Sequence, residues 1–223
     1  MAEMIEIKAS DGHVLRAYHA EPAGDVRRGG IVVIQEIFGV NPHIRAVCDG
    51  FAADGFEVLA PALFDRVERG IEFGYDEAAI ARGRELAAEV GWYLSLLDVD
   101  AARARLAQAG RVGVVGYCWG GSVCFLAACQ LPVHAASVYY GRHIVDLLGQ
   151  RPRCPTIMHF GTADPLIPLD AIERVKMAFP EIPIYLYDGA GHGFNCDHRS
   201  DFHAEAAALA RDRTLALFAQ HLG

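Results

Sequence analysis

The chain has 223 residues, 52% of them hydrophobic and 22% charged, a composition that excludes a disordered protein and allows a substantial packed core. Its 20 Lys and Arg residues against 28 Asp and Glu leave a formal net charge of -8 with no basic stripe. Nucleic acid is thereby excluded as an expected partner, and any anionic small molecule must find locally placed arginines.

No run approaches the roughly 20 continuous apolar residues of a membrane-spanning helix, and residues 1–10 lack the pattern of a signal peptide. The expectation is one cytoplasmic domain over residues 1–223 with no membrane partner. Oligomeric state is left open, a monomer being the simpler expectation.

In chain order, residues 4–8 and 14–20 alternate with a period near two around Ser10-Asp11-Gly12 and predict an antiparallel hairpin at a sheet edge. A short buried strand follows at 30–35, a helix at 42–54, and a strand at 57–59. Residues 64–76 show no clear period and read equally as a loop or cap beside the site or as an ordinary surface crossover, followed by helices at 76–89 and 96–109. Strands at 112–115, 136–139, 156–160 and 184–187 then alternate with helices at 121–130, 169–178 and 202–221. This alternation predicts an α/β fold with a mostly parallel sheet of about eight strands flanked by helices.

The informative local feature is the apolar strand that runs into Gly116-Tyr117-Cys118-Trp119-Gly120 and then into a helix. It matches a nucleophile elbow with cysteine in the place more often held by serine. Glycine at 116 and 120 suits a strained turn in which flanking Cβ atoms would strike neighbouring backbone. The turn also puts the thiol at a helix N-terminus, where the dipole favours thiolate. An inert buried cysteine at a Gly-rich strand end is the competing reading, and it is preferred for Cys48, Cys124, Cys129 and Cys154 in their apolar contexts.

An elbow nucleophile needs a base, and α/β-hydrolases supply the partners in the chain order nucleophile, acid, histidine. Asp164, in Gly161-Thr162-Ala163-Asp164-Pro165 just past a strand, is the candidate acid, while Asp170 reads as a helix cap. His192, held between Gly191 and Gly193 after the last strand, is the candidate base. His13, His19, His43 and His221 read as exposed. His192, Cys196, Asp197, His198 and His203 could instead ligate a metal, but their spacing fits no compact zinc pattern, so no metal and no cofactor is expected.

With these residues in place the chain resembles the dienelactone hydrolase (carboxymethylenebutenolidase) family. The resemblance is carried by Gln35-Glu36-Ile37-Phe38-Gly39-Val40-Asn41, by Gly113 to Gly121, by Tyr139-Tyr140-Gly141, by Gly161 to Pro165 and by Ala190-Gly191-His192-Gly193-Phe194. It implies an α/β-hydrolase fold and a Cys118, His192, Asp164 triad. It also implies Glu36 close to the thiol, controlling when the thiolate forms and so limiting its oxidation. The backbone N–H groups of Trp119 and Ile37 are the expected oxyanion hole.

One position departs from the family. Its dienelactone-cleaving members grip the substrate carboxylate with arginines, one of them four residues after the histidine, and that position here is Cys196. Arg199 could substitute if its loop bends suitably, and Arg82 or Arg84 could supply a second contact. The implied activity is hydrolysis of a small ester or lactone of the dienelactone type. Apolar Phe38, Trp119 and Phe194 near the expected pocket keep open a carboxylesterase or thioesterase acting on neutral esters, and a non-catalytic ligand-binding protein on the same scaffold is a third reading.

Overall fold

The computed structural model describes residues 2–22, 24 and 26–223, so Met1, the first residue of the segment read for a signal peptide, lies outside the described residues, as do Ala23 and Asp25. Strands β1 (Ala2–Lys8) and β2 (Val14–Ala20) form the hairpin, and β2 pairs antiparallel with β4 (Glu57–Pro61). From there β3 (Gly30–Ile34), β5 (Val112–Tyr117), β6 (Ala135–Tyr139), β7 (Thr156–Gly161) and β8 (Ile184–Tyr187) run parallel, giving the eight-stranded order β1-β2-β4-β3-β5-β6-β7-β8. Every residue of β3, β5, β6 and β7 is buried, because helices cover both faces of the parallel part.

The helices are α1 (Pro42–Ala53), α2 (Glu77–Leu106), α3 (Trp119–Gln130), α4 (Leu169–Ala178) and α5 (Ala204–Leu222). From β3 the chain crosses through α1 to β4 on one side, and from β5 through α3 to β6 on the other. Right-handed crossovers in opposite directions put α1 and α3 on opposite faces. Phe51 of α1 meets Phe218 of α5 on one face, and α2 packs on α3 on the other. The order therefore reverses between β3 and β5, which is where open α/β sheets place their sites.

Two local features differ from the sequence reading. The two helices read over residues 76–89 and 96–109 are present but abut at a kink within Glu77–Leu106, where Gly91 leaves helical geometry (φ 64°), so the gap expected at residues 90–95 is itself helical apart from Gly91. Apolar residues on either side of Gly91, Val90 and Leu96 among them, are buried. Asp170 lies in the first turn of α4 without a capping hydrogen bond, Pro168 holding the cap position. The aperiodic stretch is ordered by contacts far along the chain: Asp65 takes Arg16 at 3.0 Å, and Gly39 bridges to Glu72.

Candidate active site

β5 ends at Tyr117 and α3 begins at Trp119, so Cys118 makes the whole turn with φ 55° and ψ -118°. A non-glycine residue held in this region costs about 1–3 kcal/mol and persists only where its surroundings enforce it. Here the Cys118 N–H donates to the Tyr139 carbonyl at 3.1 Å. α3 presses so closely on the end of β3 that a Cβ on Gly120 would lie 2.2 Å from the Gln35 carbonyl oxygen. Glycine is the residue that permits this approach.

Asp164 and His192 come from the loops after β7 and β8, which are tied together by the Ala163 N–H donating to the Ala190 carbonyl at 3.0 Å. One Asp164 oxygen accepts the Leu166 N–H at 2.8 Å and the other lies 2.7 Å from His192 Nδ1. His192 Nε2 lies 3.1 Å from Cys118 Sγ. All three side chains are buried. Burial alone would pull the imidazole down, but the thiolate charge of Cys118 and the hydrogen bond to Asp164 outweigh it and push His192 up to about 10.

The thiol and His192 open on a cavity of about 600 Å³. Ile37 and Trp119 line it, and Trp119, as the first residue of α3, has a backbone N–H with no acceptor in its own helix. Phe38, Trp92 and Leu166 add apolar wall, and the side chains of Arg84, Arg142 and Arg199 supply positive charge. Among the described residues neither Arg84 nor Arg142 has an ion-pair partner.

Arg199 reaches the cavity because its loop folds into successive tight turns. The N–H of Cys196 donates to the Gly193 carbonyl at 2.9 Å and the N–H of Arg199 to the Cys196 carbonyl at 3.1 Å. Its guanidinium then passes so close to Gly193 (φ 83°) that a Cβ there would lie 2.7 Å from Nη1. Arg199 Nη1 stands 3.8 Å from Glu36 Oε1. Glu36 is fully buried, and neither of its oxygens accepts a hydrogen bond. The thiol of Cys118 is turned to His192, not to Glu36.

Two residues expected at the substrate are elsewhere. Arg82 points away and pairs with Glu68 and Glu85 at 3.1 and 3.0 Å, since those acids flank it on the outer surface. Phe194 is fully buried against Tyr140 and Tyr187, filling the space behind the His192 loop instead of lining the cavity. Arg142, Trp92 and His143 line the cavity without having been singled out. Position directly after Tyr139-Tyr140-Gly141 at a strand end was the available signal for Arg142.

Two histidines read as exposed are buried: His19 meets Glu57 at 2.9 Å, and His43 of α1 has Nδ1 3.5 Å from Asp197 Oδ1. The five-residue metal cluster weighed above does not converge, because His192 faces Cys118 and His203 accepts the Ala206 N–H at the start of α5. The Cys196 thiol donates to Tyr75 Oη at 3.2 Å. Burial, then the charge of Glu36, pushes that thiol up to about 11.

A mostly parallel eight-stranded sheet that reverses at β3 and β5, with a cysteine on a strained strand-to-helix turn at that reversal, defines an α/β-hydrolase fold. The chain belongs to the dienelactone hydrolase family, whose sequence model matches residues 15–222. It is 37% identical to a protein of Azospirillum brasilense provisionally named carboxymethylenebutenolidase, over 98% of this chain and 99% of that protein. A Synechocystis protein of the same provisional name is 33% identical over 93% of this chain and 92% of its own length. Among solved structures, a provisionally named dienelactone hydrolase of Klebsiella pneumoniae superposes with a TM-score of 0.88 at 32% identity, covering 99% of each chain. The family is one of hydrolases acting on esters and lactones. No helix among the described residues is long and apolar enough to cross a membrane.

Proposed function

We propose that this protein hydrolyses small carboxylate-bearing esters or lactones of the dienelactone type, with Cys118 as nucleophile, His192 as base and acid, and Asp164 orienting the imidazole. The observation that carries the reading is the hydrogen-bonded line from Asp164 through His192 to Cys118, 2.7 and 3.1 Å, opening on a cavity walled by Arg84, Arg142 and Arg199.

The thiolate attacks the acyl carbon, and the oxyanion that forms is held by the backbone N–H groups of Trp119 and Ile37. Collapse breaks the acyl–oxygen bond, and the His192 imidazolium gives its proton to the leaving oxygen, which in a lactone stays tethered to the acyl chain. Neutral His192 then takes a proton from water as it attacks the thioester, and the Cys118 thiolate leaves. Glu36 is assigned a positioning role, acting on the charge of Arg199. The substrate carboxylate is assigned to Arg84 and Arg142, the two cavity arginines without an ion-pair partner among the described residues, with Arg199 standing in for the arginine that the family places at the position of Cys196.

The test is steady-state turnover of a dienelactone beside a neutral aryl ester of similar reactivity, with Cys118→Ala as blank. Cys118-dependent turnover with kcat/KM favouring the dienelactone supports the reading. Cys118-dependent cleavage of the neutral ester alone moves the enzyme to neutral esters, and turnover undiminished in folded Cys118→Ala overturns the nucleophile assignment.

A further inference from the structure

Glu36 follows β3, His43 lies in the first turn of α1, and Cys196 lies in the turns after His192. The fold brings these three together although the sequence separates Glu36 from Cys196 by most of the chain. One ligand atom of each, a carboxylate oxygen, an imidazole nitrogen and a sulfur, lies within 4.8 Å of the others. All three side chains are more than nine-tenths buried.

The second observation is that three of their polar atoms, both Glu36 oxygens and His43 Nε2, have no hydrogen-bond partner. Neither oxygen of Glu36 accepts a hydrogen bond, and the Nε2 of His43 has none. Buried polar atoms are rarely left this way, and an unmatched carboxylate is the costliest kind. Arg199 at 3.8 Å from one oxygen compensates charge without making a hydrogen bond. His43 is oriented from behind by Asp197, whose Oδ1 lies 3.5 Å from Nδ1. A proton on Nδ1 facing that carboxylate leaves the unpartnered Nε2 as the nitrogen with the free lone pair, the arrangement of a metal-ligating histidine with its outer carboxylate.

We propose that Glu36, His43 and Cys196 bind one divalent transition-metal ion of the zinc type, at a site separate from Cys118 and His192. Sulfur and imidazole nitrogen beside a single carboxylate suit a borderline-soft ion and disfavour magnesium or calcium, which take oxygen ligands. Metal–ligand bonds of about 2.0–2.3 Å in a tetrahedron put ligand atoms roughly 3.3–3.8 Å apart, so side-chain rotations of about 1 Å close the site. The fourth position falls to water. On binding, the Cys196 thiol proton leaves to solvent and the Tyr75 hydroxyl, which now accepts from that thiol, turns to donate to the thiolate. A separate cavity of about 350 Å³ is lined by His43 and Asp197 and not by Cys118. Through Glu36 the ion would sit one side chain from Arg199 and the reaction cavity.

The experiment is titration of metal-free Cys118→Ala protein with Co²⁺, which removes the Cys118 thiolate as a competing ligand. One Co²⁺ per chain with a thiolate-to-cobalt charge-transfer band is the expected result, and the band must vanish in Cys118→Ala/Cys196→Ser. His43→Gln in the same background keeps the thiol and is expected to abolish tight binding with an unchanged circular dichroism spectrum. Asp197→Asn should weaken Co²⁺ by roughly 10–100-fold, the usual cost of losing an outer-sphere partner. A band that survives Cys196→Ser, an affinity indifferent to His43→Gln, or no thiolate band at all would overturn the site.

Discussion

Arg199 Nη1 stands 3.8 Å from Glu36 Oε1, the guanidinium 15% and the carboxylate 1% exposed, so one cation both walls the cavity and compensates a buried acid. Arg199→Gln strands that acid, and urea unfolding should show a loss of about 1–3 kcal/mol. Adding Glu36→Gln should return a large part of it, because the stranded charge is then gone. A double variant no more stable than the single one would show that the two side chains are not coupled.

Arg84 and Arg142 are the cavity cations with no acid partner among the described residues. Removing either as glutamine should raise KM for a carboxylate-bearing lactone by about three- to tenfold, the size of one lost exposed charged contact. KM for a neutral aryl ester should barely move. Equal effects on both substrates would assign these arginines to the fold and not to the substrate.

His192 is pushed up to about 10 against the opposing pull of burial, with the thiolate of Cys118 as the leading upward cause. In Cys118→Ala that charge is absent and the Asp164 hydrogen bond remains, so the imidazole should titrate well below 10. Histidine NMR titration of the two proteins reads this directly. For stability the sign follows from the raised value: the contribution is full below the ordinary histidine value of about 6.5 and is lost as pH rises through about 10. An unmoved titration in the variant would show that Asp164 alone sets the value.

His159, in β7, is the opposite case. It is fully buried among Ser137, Thr214 and Tyr187, and burial, aided by the charge of Arg213, pulls it down to about 3. It stays neutral in the fold while the unfolded chain takes up a proton below about pH 6.5, so stability should fall as pH drops from there toward 3. His159→Gln should be less stable at neutral pH and should show a shallower decline between pH values of about 7 and 5. Parallel declines in the two proteins would place the acid sensitivity elsewhere.

The strands, their approximate bounds and the order Cys118, Asp164, His192 were legible because each rests on a local rule. Buried parallel strands are short apolar runs, turns are marked by glycine and proline, and an elbow has its glycines at fixed offsets. The two helices between Glu77 and Leu106 were legible as two, and the structure joins them at a kink at Gly91 in place of the longer gap expected at residues 90–95.

What the amino-acid order determined by itself was therefore the α/β architecture and which residue types stand at which strand ends. Only the tertiary structure decided which cations meet the cavity. Arg82 and Arg84 are two apart on one helix, and a helix turns about 200° over that step, so one faces Glu68 and Glu85 while the other faces the cavity. It likewise decided that Glu36, His43 and Cys196 converge, because they lie on a strand end, a helix and a distant loop whose proximity is set by sheet order and crossover handedness, and no spacing along the chain encodes that.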